Sequence, residues 1–267
     1  MYMFESFILG MVQGIAEWLP ISSEAMIILV KNNFFPSGMN FSEMISFAIF
    51  LHLGTLFAAT LYFRKKIVQL IKNIFNYKKI NNEDKNYLLF IIIATIISGI
   101  LGLILLKIVE YYQSFFNHEF MINIFVASFL IITAVLLYIS ENKNNSIKII
   151  LTKKRAFLTG IFQGFAAIPG ISRSGSTIAG MGLLGINKEQ ALELSFILSI
   201  PLVFLANVVL NYSLLKNLTV NHVVALISAF VFGIITIELL LRLVRKIRFS
   251  YFVGFFAFLL ILLNLFT

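Results

Sequence analysis

Residues 155–186 read RAFLTGIFQGFAAIPGISRSGSTIAGMGLLGI, an apolar stretch broken in its middle by IPGISRSGST. Proline lacks an amide donor and glycine resists helix, so the stretch does not continue as one straight helix. Broken backbone at membrane depth is tolerated only where protein or a wet cavity covers it. The stretch 4–31 repeats the pattern around WLPISSE at 18–24, and both are expected to form re-entrant helix–loop–helix hairpins. The two breaks align: GMVQGIAEWLPISS at 10–23 matches GIFQGFAAIPGISR at 160–173 at an offset of 150, pairing Gly10 with Gly160, Gln13 with Gln163, Gly14 with Gly164, Ala16 with Ala166 and Ser22 with Ser172. Ser46-Phe47 matches Ser195-Phe196 at an offset of 149.

Outward from the breaks, apolar runs near 42–63, 87–108, 118–139, 190–211, 220–241 and 249–267 are each about long enough to span a bilayer. The expected fold is therefore all-α and integral to the membrane, with six transmembrane helices plus the two hairpins, as one polytopic domain over 1–267 (half 1 about 1–139, half 2 about 155–267). Composition agrees. Of 267 residues 60% are hydrophobic and 12% charged, and mean hydropathy is +0.95, which excludes a soluble domain. Zero cysteines exclude disulfides, thiolate nucleophiles and Cys-based metal sites. The N-terminus lacks a basic n-region and a small-residue cleavage site, so it reads as mature protein.

The net charge of +9 does not point to nucleic acid, because the basic residues lie between apolar runs and not on a soluble face. With both broken stretches re-entrant, 17 of the 21 Lys and Arg fall on one side, in 64–86, 140–155, 242–248 and at Lys188. Lys31, Lys107 and Lys216 fall opposite, and Arg173 lies inside a break. The positive-inside rule sets the 17 in the cytoplasm, so the first hairpin enters from outside and the second from the cytoplasm. Halves of opposite orientation make an inverted repeat, in which broken helices place a site near the midplane.

Gln13 and Glu17 are four apart and share one helix face. An ionisable group such as Glu17 at membrane depth is costly and marks function or pairing. Ser22 and Ser23 fall where the returning half-helix, from Glu24 to about Lys31, needs an N-cap, and they are also hydroxyls beside a base. In the second break, residues 169–177 gather two glycines, four hydroxyls (Ser172, Ser174, Ser176, Thr177) and Arg173. A helix N-terminus, glycine-rich backbone and a guanidinium together favour phosphate. Buried Arg173 needs an anionic partner, either Glu17 or a ligand's phosphates. The string does not match GxxxxGK[ST], which excludes a nucleotide P-loop.

GxxQGxxEWLPISS followed by PGISRSGST resembles the undecaprenyl-diphosphate phosphatase (bacitracin-resistance) family, whose signatures are (E/Q)xxxE and PGxSRSxxT. The likeness covers nearly the whole chain, including FLHLGTL around His52. It implies a phosphoric anhydride hydrolase of the cell membrane that converts undecaprenyl (polyprenyl) diphosphate to the monophosphate, recycling the lipid carrier for cell-wall (peptidoglycan) glycan synthesis. It implies Glu17, Ser23 and Arg173 as catalytic, Gln13, Ser22, Ser172, Ser174 and Thr177 as substrate-binding, and a site open to the outer face. The partners are then the lipid diphosphate and the bilayer, and a homodimer is compatible with this reading. Whether Glu17 activates Ser23 or a water stays open.

The sequence departs from the family where SSxGH is common and SSEAM stands, with Met26 in place of histidine and Glu24 adding negative charge. His52 is the candidate accessory group in compensation, whereas His118 and His222 fall at span ends. No tightly bound cofactor is expected, although a divalent cation (Mg2+ or Ca2+) bridging Glu17 and the diphosphate is chemically sensible. The alternative function is a polyprenyl-phosphate flippase or small-anion transporter on the same inverted repeat.

Overall fold

The computed structural model describes residues 2–35, 41–112, 119–143, 149–243 and 246–266. His118, Lys148 and Arg245 lie outside them. Among the described residues all regular structure is helical. The first half holds α1 (Met3–Ala16), α2 (Ser23–Phe34), α3 (Phe41–Tyr62), α4 (Arg64–Phe75), α5 (Asn82–Tyr111) and α6 (Glu119–Glu141). The second holds α7 (Lys153–Gly164), α8 (Arg173–Leu183), α9 (Lys188–Leu210), α10 (Tyr212–Lys216), α11 (Val220–Leu243) and α12 (Phe249–Phe266), so the two halves run through corresponding elements in the same order.

Five helices are long and apolar enough to cross a membrane, at Glu43–Tyr62, Asn82–Tyr111, Ile124–Glu141, Lys188–Leu210 and Val220–Leu243. This is a multi-pass membrane protein. The run expected at 249–267 is helical, but its apolar portion among the described residues, Phe249–Leu262, is shorter than the other five. Both broken stretches fold as helix, break and helix, α1 with α2 and α7 with α8. The break after α7 passes through a 3-10 turn at Phe165–Ala167 before α8 begins. Segment 64–86, which lies between the expected spans, contains α4. Its charges mask an amphipathic stripe in which Ile67 and Leu70 pack on the core.

Glycine decides how the halves lock together. A Cβ on Gly10 would lie 2.2 Å from the Ala225 carbonyl oxygen, and one on Gly14 would lie 2.7 Å from that of Ala229, so α1 sits backbone to backbone on α11. The repeat position Gly160 approaches the Ala94 carbonyl oxygen in the same way, setting α7 on α5. Small residues four apart allow such contact, and in lipid close van der Waals packing supplies much of the association. The first helix of each half thus packs on the fifth of the other, and the third helices, α3 and α9, meet in the middle. There Asn211, just after α9, and Asn207 of α9 donate to the carbonyls of Ser46 (3.1 Å) and Ile49 (2.9 Å).

The basic segments gather at one end. Lys188 lies 3.1 Å from Glu141, Lys143 donates to the Leu183 carbonyl at 3.0 Å, and Lys66 pairs with Glu193. Glu141 also accepts from the free amides of Phe249 (2.8 Å) and Ser250 (3.3 Å), capping α12 with a carboxylate. At the other end of the first hairpin, buried Lys31 of α2 pairs with buried Glu5 of α1.

Candidate active site

Both breaks deliver their residues to one point. Leaving α1, the chain turns at 17–21 and enters α2 through Ser22, the one described non-glycine residue with positive φ (61°). Such a conformation is costly for a side chain with a Cβ, and it sets Ser23 as the first residue of α2, beside Glu17. In the second break the left-handed turn falls on Gly170 (φ 97°), and Ser172 caps α8 by accepting from the Gly175 amide at 3.1 Å. Arg173 is thereby the first residue of α8, as Ser23 is of α2.

Glu17 is the centre of the site and is buried. Its Oε2 accepts from Gln13 Nε2 at 2.9 Å and from Ser23 Oγ at 2.8 Å, and lies 3.0 Å from His52 Nε2. Its Oε1 pairs with the Arg173 guanidinium. Arg173 also donates to the Ser195 carbonyl at 3.0 Å and lies over the Trp18 ring, whose indole is wedged against Phe196. Of the residues expected from sequence, Gln13, Glu17, Ser23, His52 and Arg173 are therefore in mutual reach. A buried carboxylate with this many donors is held in one orientation.

The other expected ligands are placed differently. Ser174 Oγ donates to the Leu19 carbonyl at 3.0 Å, tying the second break to the first, and Thr177 Oγ1 donates to the Arg173 carbonyl at 2.6 Å. Ser172 accepts from Gly175 and, because the Ser174 proton goes to Leu19, gives its own to Ser174 Oγ at 3.3 Å. Ser22 is buried, and its side chain makes no hydrogen bond among the described residues. Met26 packs on the hydrophobic core, and His222 stands against Phe50, ring centroids 5.3 Å apart. The repeat is functionally unequal, since Ala167 occupies the place of Glu17 and Gln163 donates instead to Ser98, at 3.0 Å.

A cavity of about 380 Å3 joins this centre to the lipid-facing side. Glu24, His52 and Arg173 line its polar end, and Ile100, Leu103, Leu202 and Val209 of α5 and α9 line the rest. Ile100 and Val209 are exposed on the outer surface of the helices, so the cavity opens sideways between α5 and α9. Sequence reasoning did not find this groove, because its walls are ordinary span residues; only the pairing of α5 with α9 assembles it.

In this arrangement both Glu17 oxygens are engaged by protein donors, Oε1 by Arg173 and Oε2 by Gln13, Ser23 and His52. Among the described residues no three His, Cys, Asp or Glu side chains converge as a metal cage. The carboxylate that faces the cavity is Glu24.

The structure is that of a multi-pass helical membrane protein with a buried Ser–Glu–Arg cluster at the end of an apolar groove. Residues 6–262 match the family described as bacitracin resistance protein BacA, and the chain belongs to that family. It is 38% identical over 251 residues to a protein of Methanococcoides burtonii named undecaprenyl-diphosphatase, covering 93% of each chain. Proteins of the same name from Treponema denticola (38% over 277 residues, 99% of this chain and 96% of the other) and, as undecaprenyl-diphosphatase 2, from Halalkalibacterium halodurans (35% over 272 residues, 97% and 93%) are similarly related.

Proposed function

We propose that the protein hydrolyses undecaprenyl diphosphate, or a related polyprenyl diphosphate, to the monophosphate and inorganic phosphate, returning the lipid carrier to cell-wall glycan synthesis. The observation that carries this reading is the contact of Ser23 Oγ with Glu17 Oε2 at 2.8 Å, a nucleophile on a base, with Arg173 on the same carboxylate. A flippase or anion transporter has no need of that dyad. The prenyl tail lies in the groove between α5 and α9, and the diphosphate reaches its polar end.

Glu17, oriented by Gln13, takes the Ser23 proton while Ser23 Oγ attacks the terminal phosphorus. Arg173 turns from Glu17 to the incoming phosphates and offsets the charge spread over the transferring group, where a fixed guanidinium acts by positioning and electrostatics. Ser22, whose side chain makes no other hydrogen bond among the described residues, and Ser172, on releasing Ser174, donate to phosphate oxygens, while Ser174 and Thr177 hold the second break in place. Any Mg2+ or Ca2+ enters as the counter-ion of the diphosphate, and no step passes through it.

We place the protein in the cell membrane as an inverted repeat with two re-entrant hairpins and α12 as the sixth span. The gathered basic segments face the cytoplasm and the site opens outward. The reciprocal packing of α1 on α11 and α7 on α5 supports the repeat, and the clustering of Lys143, Lys188 and Lys66 with the segments around them supports the sidedness. The test is phosphate release by the purified protein in detergent from undecaprenyl diphosphate, with a shorter prenyl diphosphate beside it. Release from the long substrate is expected, and none from either overturns the reading.

A further inference from the structure

His52 belongs to neither break. It comes from the middle of α3, 29 residues beyond Ser23, and reaches the centre from the side of the cavity. Its Nδ1 lies 2.6 Å from the Ala48 carbonyl oxygen, which can only accept, so Nδ1 carries a proton. Its Nε2 then faces Glu17 Oε2 at 3.0 Å and Ser23 Oγ at 3.4 Å. Two lone pairs do not approach that closely in a buried site without a proton between them, so Nε2 and Oε2 share one. The charged groups around the imidazole are Glu17 from the first break and Glu24 from α2, with Arg173 of α8 on the far side of Glu17. Two carboxylates and two cations balance when the imidazole is charged.

Ser23 Oγ is thus approached on two sides. It gives its proton to Glu17, and its lone pairs lie 3.4 Å from His52 Nε2, whose proton turns to Ser23 once Glu17 is itself protonated. Once Ser23 is esterified the first contact has no proton left to donate, whereas the second remains.

We infer that His52 is the acid that discharges a phosphoserine formed at Ser23, an inference that rests on the diphosphatase reading above. In the first half-reaction Oγ bonds to the terminal phosphorus, the bond from phosphorus to the bridging oxygen breaks, and the Ser23 proton passes to Glu17. Prenyl monophosphate leaves as an anion. In the second, water adds to phosphorus and the phosphorus–Oγ bond breaks. Oγ takes the Nε2 proton, and phosphate departs with both protons of the water. The proton on Glu17 then crosses to Nε2 and restores the starting state. One water is consumed, and protons balance over the cycle. A serine alkoxide is a poor leaving group, so the second half-reaction is where an acid matters most.

The experiment uses full-length protein and undecaprenyl diphosphate labelled in its terminal phosphate, with His52→Gln and His52→Ala beside wild type and Ser23→Ala. In both His52 variants we expect about one prenyl monophosphate per protein in a burst, phosphate release slowed about 10²–10⁴-fold, and label on the peptide containing Ser23. Added imidazole should speed loss of that label from His52→Ala, since the vacated space borders the cavity. Ser23→Ala should carry no label. Turnover of the variants within about threefold of wild type overturns the inference, and so does slow turnover without phosphorylated Ser23, which would leave His52 only holding Glu17. If wild type itself releases no phosphate, the diphosphatase reading fails first and is distinguished by that control.

Discussion

Ser23 and Arg173 stand 150 residues apart at the same position of the internal repeat, and both end on the carboxylate of Glu17, one on each oxygen. The two helix starts thus bring a hydroxyl from the first half and a guanidinium from the second to one carboxylate. The asymmetry is completed by Ala167, which leaves the second break without a carboxylate at the position of Glu17.

Arg173 spans Glu17 and the Ser195 carbonyl with different nitrogens of one planar group. Lysine keeps the charge and loses the fork. Arg173→Lys is therefore expected to lower kcat/KM about 10²-fold or more, by analogy with loss of one preorganised donor, with expression and elution profile unchanged. Activity within about threefold of wild type in the phosphate-release assay rejects the assigned role.

Glu17→Gln keeps the shape of the side chain and loses its basicity. Turnover should vanish while binding of the lipid diphosphate, followed by tryptophan quenching of Trp18, the only tryptophan in the chain, stays measurable. Normal turnover by this variant would make Glu17 a structural residue.

The helix pairing can be tested by unfolding, with no reference to activity. A side chain on Gly10 meets the Ala225 carbonyl oxygen and Ser228, whereas one on Gly99 meets nothing within 4 Å. Gly10→Val should lower the unfolding midpoint in detergent, overpacking being worth about 1–3 kcal/mol, and Gly99→Ala should leave it unchanged or raise it. Equal midpoints for the two variants would mean that α1 does not sit on α11 as described.

Orientation is open to labelling in intact cells. Single cysteines at Asn33 and Asn217 should react with an impermeant thiol reagent and one at Asn82 should not, given the 17 to 3 division of basic residues. Reaction at Asn82 reverses the topology and the outward opening with it.

The breaks were legible because proline, glycine and clustered hydroxyls in the middle of an apolar run are incompatible with one straight span, and the repeat then tied Ser22 to Ser172. Glu17 and Arg173 could be paired from sequence, since each is a charge that the bilayer penalises unless partnered. His52 was visible only as a candidate; nothing in FLHLGTL says that Nε2 will meet Ser23, because that depends on how α3 lies against α2. The resemblance implies Ser174 and Thr177 as substrate-binding; the sequence did not show that their hydroxyls are bonded to the carbonyls of Leu19 and Arg173. Helix α4 was hidden by hydropathy averaging, which cannot separate an amphipathic helix from a charged loop.

The crossed pairing of α1 with α11 and α7 with α5 also bears on how the chain is made. When α1 leaves the ribosome, the glycine face at Gly10 and Gly14 has no partner, and the residues it fits, Ala225, Ala229 and Gly233, are synthesised more than two hundred positions later. The Ser228 hydroxyl that reaches back to the Phe7 carbonyl belongs to the same late helix. The first hairpin, with Glu17 inside it, must therefore be inserted and then held open until nearly the whole chain has been translated. The buried pair of Lys31 with Glu5, formed entirely within that hairpin, is the local clasp available during the wait. The packing that holds Glu17 in place is in this architecture a property of the finished chain.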